Sequence, residues 1–378
     1  VSFNVPAGSY KIRVDYLGYS FWSEVKAVSG AANAVLMIEH RDANITINTV
    51  FNGTPAPLEG VKVYLFNGAG SYLGRSHTTG ADGKVTFPVP AKDYKVRADY
   101  LGRQYWSAVF NWTDGTVAVP LADVEVTVGR SGQINANVPV YVFSATNSYL
   151  GITAGTDQTS KVTFRLPAGS YKFRADFQGS QYWSAETALA ADRMTPVTVD
   201  TGGGAFVFTV LKGANTPLTG VPCCVFNAAG TYLGMTGTTD GNGQVSFDLS
   251  SGNYKMRVAY LGAQFWSDVA VVTGSSSLTL LIPQDPVDVV ISTAGDPVSG
   301  ARVYLFSSTG SYLGQYADTD SNGRVYFNLP RGVSFKFRAD VMGNQYWSDV
   351  TQVTGGGTIH VPINTGGGVL RVTVRKSA

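Results

Sequence analysis

SYKFRADFQGSQYWS, residues 170–184, decides the architecture, because near-copies of it stand at four other places in the chain. They read SYKIRVDYLGYSFWS (9–23), DYKVRADYLGRQYWS (93–107), NYKMRVAYLGAQFWS (253–267) and SFKFRADVMGNQYWS (334–348). The tryptophans that close them recur about every 80 residues, the mark of one structural unit used repeatedly. Within the stretch Tyr171, Phe173, Ala175 and Phe177 alternate with Lys172, Arg174 and Asp176, a period of two that specifies a half-buried strand. The glycine that follows, Gly179 here and Gly18, Gly102, Gly262 and Gly343 in the copies, supplies turn backbone, and Gln181, Tyr182 and Trp183 begin the return. The stretch is a β-hairpin, present five times.

Around the copy at 253–267 the strands of a whole unit follow in order. AFVFTVL (205–211) comes first, then VPCCVFN (221–227) after a Pro/Gly turn, TYLGMT (231–236), QVSFDL (244–249), the hairpin, and SLTLLI (277–282). Seven short strands with turn signals every ten residues or so predict an all-β fold: a tandem array of about 80-residue, seven-stranded, immunoglobulin-like sandwiches. Full repeats are expected at 39–122, 123–201, 202–284 and 285–365. Residues 1–38 hold only the last four strands of a repeat, starting at VSFNV, and 366–378 the first strand of another. The joints are short, Pro283–Pro286 and the triglycines at 202–204 and 366–368, which predicts a segmented rod with stiff and loose hinges.

Composition agrees with this. The 378 residues include 44 Gly, 20 Tyr and 19 Phe but only 14% charged residues, a turn-rich β composition rather than that of an α/β enzyme. A net charge of +2 without a Lys/Arg cluster removes the electrostatic basis for a nucleic-acid partner, and no apolar run approaches the ~18 residues of a membrane-inserted span. Cys223 and Cys224 are neighbours on a strand and point to opposite faces, so they suit neither a metal nor a redox pair.

The formula PLTGVPCCVF, TTDGNGQVSF, SGNYKMRVAY resembles the prealbumin-like sandwich of carboxypeptidase regulatory-like domains, and is similar to the B-type repeats of bacterial surface adhesins and pilins. The resemblance implies a non-catalytic module of secreted or surface proteins, often in tandem. Such repeats often carry a Lys to Asn isopeptide bond from the first strand; only the third repeat offers a lysine there, Lys212, at the strand's end.

His40, His77 and His360 fall at unrelated repeat positions and have no recurring nucleophile, so no catalytic, cofactor or metal site is expected. The acidic turns at 239–243 and 319–323 lack the further carboxylates of a calcium loop, and a hairpin turn accounts for them. The Lys172, Arg174, Asp176 face suits a solvated sheet with cross-strand ion pairs of under about 1 kcal/mol each. Asn44, Asn52 and Asn111 stand in N-x-T sequons and are possible glycan acceptors.

The most functional-looking feature is the paired aromatics: Phe21/Trp22, Tyr105/Trp106, Tyr182/Trp183, Phe265/Trp266 and Tyr346/Trp347. One member of each pair should fill the core while its neighbour meets protein or a glycan. If Trp183 is the core member, Trp183→Ala should cost about 3–5 kcal/mol. Protein contact is favoured over sugar stacking because only a glutamine (104, 181, 264, 345) accompanies the rings in every full repeat. The expectation is thus a structural segment of an extracellular fibre or cell-surface stalk, its partners further copies of itself, head to tail and laterally. The alternative is an adhesin or carbohydrate-binding array. Residues 1–38 need completion, either by continuation of a longer chain or by a strand from another copy, for which VLRVTVR (369–375), with Leu370, Val372 and Val374 on one face, has the pattern.

Overall fold

The computed structural model describes residues 1–130 and 134–376; residues 131–133, in the second expected repeat, and 377–378, in the terminal segment, lie outside the described residues. The fold is all-β, and no described helix is long and apolar enough to cross a membrane. Two compact units divide the chain, Val1–Phe177 with Gln181–Asp200 and Gln178–Ser180 with Thr201–Ala378. In the first, one core gathers around Ile45, Leu65, Phe87 and Val96, and another around Val126, Val142, Phe164 and Phe173. In the second, the cores centre on Phe208, Val225 and Met256, and on Val289, Leu305 and Phe337.

Each core lies between two sheets. Around Met256 one sheet runs Tyr232–Thr238, Pro222–Asn227, Gly252–Tyr260, Ala263–Trp266, with Ala270–Val272 also on Gly252–Tyr260. The other is built on Gly204–Lys212, antiparallel to Gln244–Leu249 and parallel to Ser276–Ile282. Inward positions alternate along these strands, as the period of two requires. The parallel pairing of first and last strands, Phe208 opposite Leu278, makes the chain enter and leave the sandwich in the same direction.

Within each unit the connection between sandwiches is correspondingly short. In the first unit a single 14-residue strand, Gly115–Val128, serves both sandwiches. Residues 115–120 pair in parallel with 45–50, while 121–127 pair antiparallel with 161–167. In the second unit Ser276–Ile282 and Gln284–Thr293 are separated by Pro283 alone. In the first unit, then, ladder hydrogen bonds on one continuous strand connect the neighbouring sandwiches, whereas in the second the two strands on either side of Pro283 belong to separate sheets.

The five hairpins share a two-residue turn with both residues left-handed. Leu17, Leu101, Gln178, Leu261 and Met342 have φ of 46–47°, and the following glycines 73–79°. This geometry normally takes Asn-Gly, and a leucine in it stores strain on the order of 1 kcal/mol. Tertiary packing offsets the strain at two tips. Leu17 packs against the core around Leu65, and Leu261 against the core around Phe337. Beside Leu101, Arg103 donates to the Ser170 carbonyl (2.9 Å) and its guanidinium lies 5.0 Å from the Tyr171 ring. Met342 has no such cover and is 98% exposed.

The incomplete repeat departs from expectation. VSFNV is not a strand, and residues 32–40 form none; what remains is two two-stranded sheets, Gly8–Tyr10 with Lys26–Val28 and Arg13–Tyr16 with Tyr19–Trp22. In full repeats the counterpart of VSFNV pairs with the first strand, which residues 1–38 do not contain. Residues 369–375 likewise form no strand, and Leu370, Val372 and Val374 are exposed.

Buried polar side chains staple each sandwich. After the tryptophan, the hydroxyl of Ser107, Ser184, Ser267 or Ser348 accepts from the amide of Val96, Phe173, Met256 or Phe337 (2.9–3.0 Å) and donates to the next carbonyl at 2.7 Å. Thr79, Thr156, Thr239 and Thr319 join two loop segments in the same double manner. Tyr171 and Tyr254 donate to the carbonyls of Pro167 and Ser250 (2.8 and 2.9 Å), whereas the Tyr94 hydroxyl is buried without a partner and burial pushes its pKa up.

Ser107→Ala should therefore cost about 1–3 kcal/mol by orphaning the Val96 amide, seen as faster hydrogen exchange there. Tyr171→Phe should cost about 1 kcal/mol in urea unfolding, and Tyr94→Phe close to nothing, because only the first removes a hydrogen bond.

Candidate functional site

The outer face of each hairpin sheet carries one arginine between aromatic neighbours, and pairing register puts them there. Arg97 lies opposite Tyr64 on one side and Trp106 on the other; Arg338 lies between Tyr304 and Trp347 in the same way. The guanidinium stands 4.5–4.7 Å from the tyrosine ring centroid at Arg97, Arg174 and Arg338, and 5.8–6.0 Å from the tryptophan. Cation–π contact of this kind contributes roughly 0.5–1 kcal/mol where water still reaches the pair. Its counter-ion is the aspartate two residues on along the same strand, at 2.8–2.9 Å in Arg97–Asp99, Arg174–Asp176 and Arg338–Asp340, so the pairs run along the strand and not across it.

Alternation puts a buried phenylalanine on this face two residues further along the neighbouring strand, and a register shift with extra residues in the next strand sets a tyrosine opposite it. Phe66, Phe143, Phe226 and Phe306 each have a tryptophan centroid at 4.7 Å and a tyrosine (Tyr72, Tyr149, Tyr232, Tyr312) at 5.4–5.5 Å. Every full repeat thus exposes a Trp and a Tyr on either side of a covered Phe. The third is the pared-down version: Cys224 replaces the tyrosine facing Arg257 (Sγ at 3.7 Å), and Ala259 replaces the aspartate.

The aromatic pairs are oriented opposite to the premise that Trp183 fills the core. Trp22, Trp106, Trp183, Trp266 and Trp347 are the outward members, and Trp183 is 42% exposed. Their neighbours Phe21, Tyr105, Phe265 and Tyr346 are half-buried and Tyr182 is buried. The two-residue turn decides this: counting back from it, Tyr105 pairs with inward Ala98 and Trp106 with outward Arg97.

The remaining candidates lie apart. His40 bonds to Tyr16, His77 packs edge-on to Phe87, and His360 sits 2.8 Å from buried Asp288. No group of three or more His, Cys, Asp or Glu able to hold a metal occurs among the described residues. In the acidic turns Asp240 and Asp320 spend an oxygen on two backbone amides each at 2.8–2.9 Å, which is hairpin-turn capping. Cys223 is fully buried, its thiol pushed up to about 12 by burial, while Cys224 faces outward. Of the sequon asparagines, Asn44 and Asn111 bond through their amides to Asp114 and Asp93, and Asn52 occupies a left-handed turn. Lys212 ends its strand opposite Ile282 and Thr216.

No family model and no curated protein matches the chain. Among solved structures, the Bacillus anthracis TIE protein is 13% identical, covering 88% of this chain and 75% of its own, with a TM-score of 0.24. GBS52, the minor pilin of Streptococcus agalactiae, is 14% identical over 42% and 94% (TM-score 0.29), and BcpA, the major pilin subunit of Bacillus cereus, 11% over 65% and 99% (TM-score 0.21). At these identities and scores the likenesses decide nothing about this chain's role.

Because its indole lies outside the core, Trp183→Ala should cost no more than about 1–2 kcal/mol, whereas Tyr182→Ala should cost about 3–5 kcal/mol. Thermal unfolding of the two variants checks the order; the reverse order would restore the tryptophan to the core.

Proposed function

We propose that the chain is a non-catalytic structural segment of an extracellular fibre or cell-surface stalk, extended head to tail by β-sandwich repeats. The single observation that supports this best is the hairpin tip. Within each unit a strained left-handed Leu is covered by the adjoining sandwich, and Met342, in the same backbone conformation, is bare. A further sandwich seated on Met342 would continue the series. The strand-patterned segment 369–375 and the side chains of Phe3, Val5 and Val14 add exposed apolar surface that a further sandwich of another copy would cover. The outward Trp and Tyr of the first, third and fourth full repeats then serve lateral contact between neighbouring stalks.

Electron cryomicroscopy of the protein as its cells assemble it tests this reading. The expected result is a filament in which Met342 is buried against a following sandwich and residues 369–375 form a strand. Met342 in solvent within the assembled protein, or no assembly at all, would contradict it.

A further inference from the structure

The second repeat departs from its sisters beside the tryptophan. In the turn before the exposed tyrosine the other full repeats have Gly70, Gly230 and Gly310, and the second has Asn147. Three residues after the tryptophan they have the exposed valines Val109, Val269 and Val350, and the second has Glu186. Both changes line one open depression of about 570 Å³, together with Phe143, Lys172 and Trp183. Lys172 Nζ donates to Asn147 Oδ1 at 3.0 Å, which orients the amide and leaves its Nδ2 hydrogens for a ligand. The left-handed φ of Asn147, 64°, is one that asparagine adopts readily.

An exposed indole floor, an amide and an ammonium donor on one side and a carboxylate acceptor in the rim suit a pyranose. Its axial C–H face stacks on the ring, and its equatorial hydroxyls both give and accept hydrogen bonds. With the Lys172 ammonium and the Glu186 carboxylate both in the rim, the lining carries no net charge, which suits a neutral sugar. The sister repeats, with Gly and Val at these positions, keep the indole and the lysine (Lys95, Lys255 or Lys336) but lack the amide and the carboxylate. We propose that the second repeat holds one binding site for a neutral, β-linked hexopyranose unit of a glycan, a role that does not depend on whether the chain forms fibres.

Calorimetric titration of the full chain with cellohexaose and with chitohexaose is the test. The expected result is one oligosaccharide per chain for at least one probe, with affinity weakened about tenfold or more in N147G/E186V, which carries only residues its sisters already fold with. Trp106→Ala, at the equivalent position of the first full repeat, should leave binding unchanged. The reciprocal G230N/V269E variant should raise the stoichiometry to two, since a Cβ on Gly230 meets nothing within 4 Å and Lys255 is already in place. The proposal is overturned if neither probe binds, if N147G/E186V binds as tightly as the parent, if Trp106→Ala abolishes binding, or if the reciprocal variant stays at one.

Discussion

The constraint on which the rest depends is the two-residue left-handed turn at each hairpin tip. By fixing which residues face each other, it sends Tyr182 inward and Trp183 outward and sets the arginine of the hairpin opposite the tryptophan. The same turn projects a side chain at the tip, apolar in four of the five hairpins, and a neighbouring sandwich covers it at Leu17 and Leu261. Register, outer face and joint are therefore consequences of one backbone conformation whose strain is tolerated because packing offsets it.

Three kinds of short-range polar device hold each sandwich to that register. The serine after the tryptophan ties the hairpin to itself, the threonine before the acidic turn ties two loops, and the tyrosine hydroxyl closes the strand entry in the second and third full repeats. All act within one sandwich. What passes between sandwiches in the first unit is the continuous strand Gly115–Val128, which makes the junction a ladder and not a tether.

Much of this was legible beforehand. Strict alternation in SYKFRADF reveals the half-buried strand, and the repeat of the motif reveals the tandem plan. The outward tryptophan was also within reach, because a two-residue turn at Gln178 and Gly179 pairs Arg174 with Trp183 by simple counting; adjacency alone said only that the two aromatics oppose each other. The shared strand was hidden because GTVAVPLADVEVTV contains a proline that reads as a break, yet Pro120 sits where one sandwich hands over to the next. The serine and threonine staples were hidden because a lone hydroxyl in a strand sequence carries no signal of its partner. VSFNV and VLRVTVR show the converse limit: their strand pattern is plain, but a strand exists only where a ladder partner is present.

The account's central claim is that the chain holds four successive sandwiches, each stable through its own core. Pulling the full chain from its ends in a single-molecule force experiment tests this most directly. Four unfolding events are predicted, each releasing about 80 residues and so on the order of 270 Å of contour at ~3.4 Å per residue, with residues 1–38 giving no comparable event. One event releasing the whole chain, or a featureless extension, would contradict it.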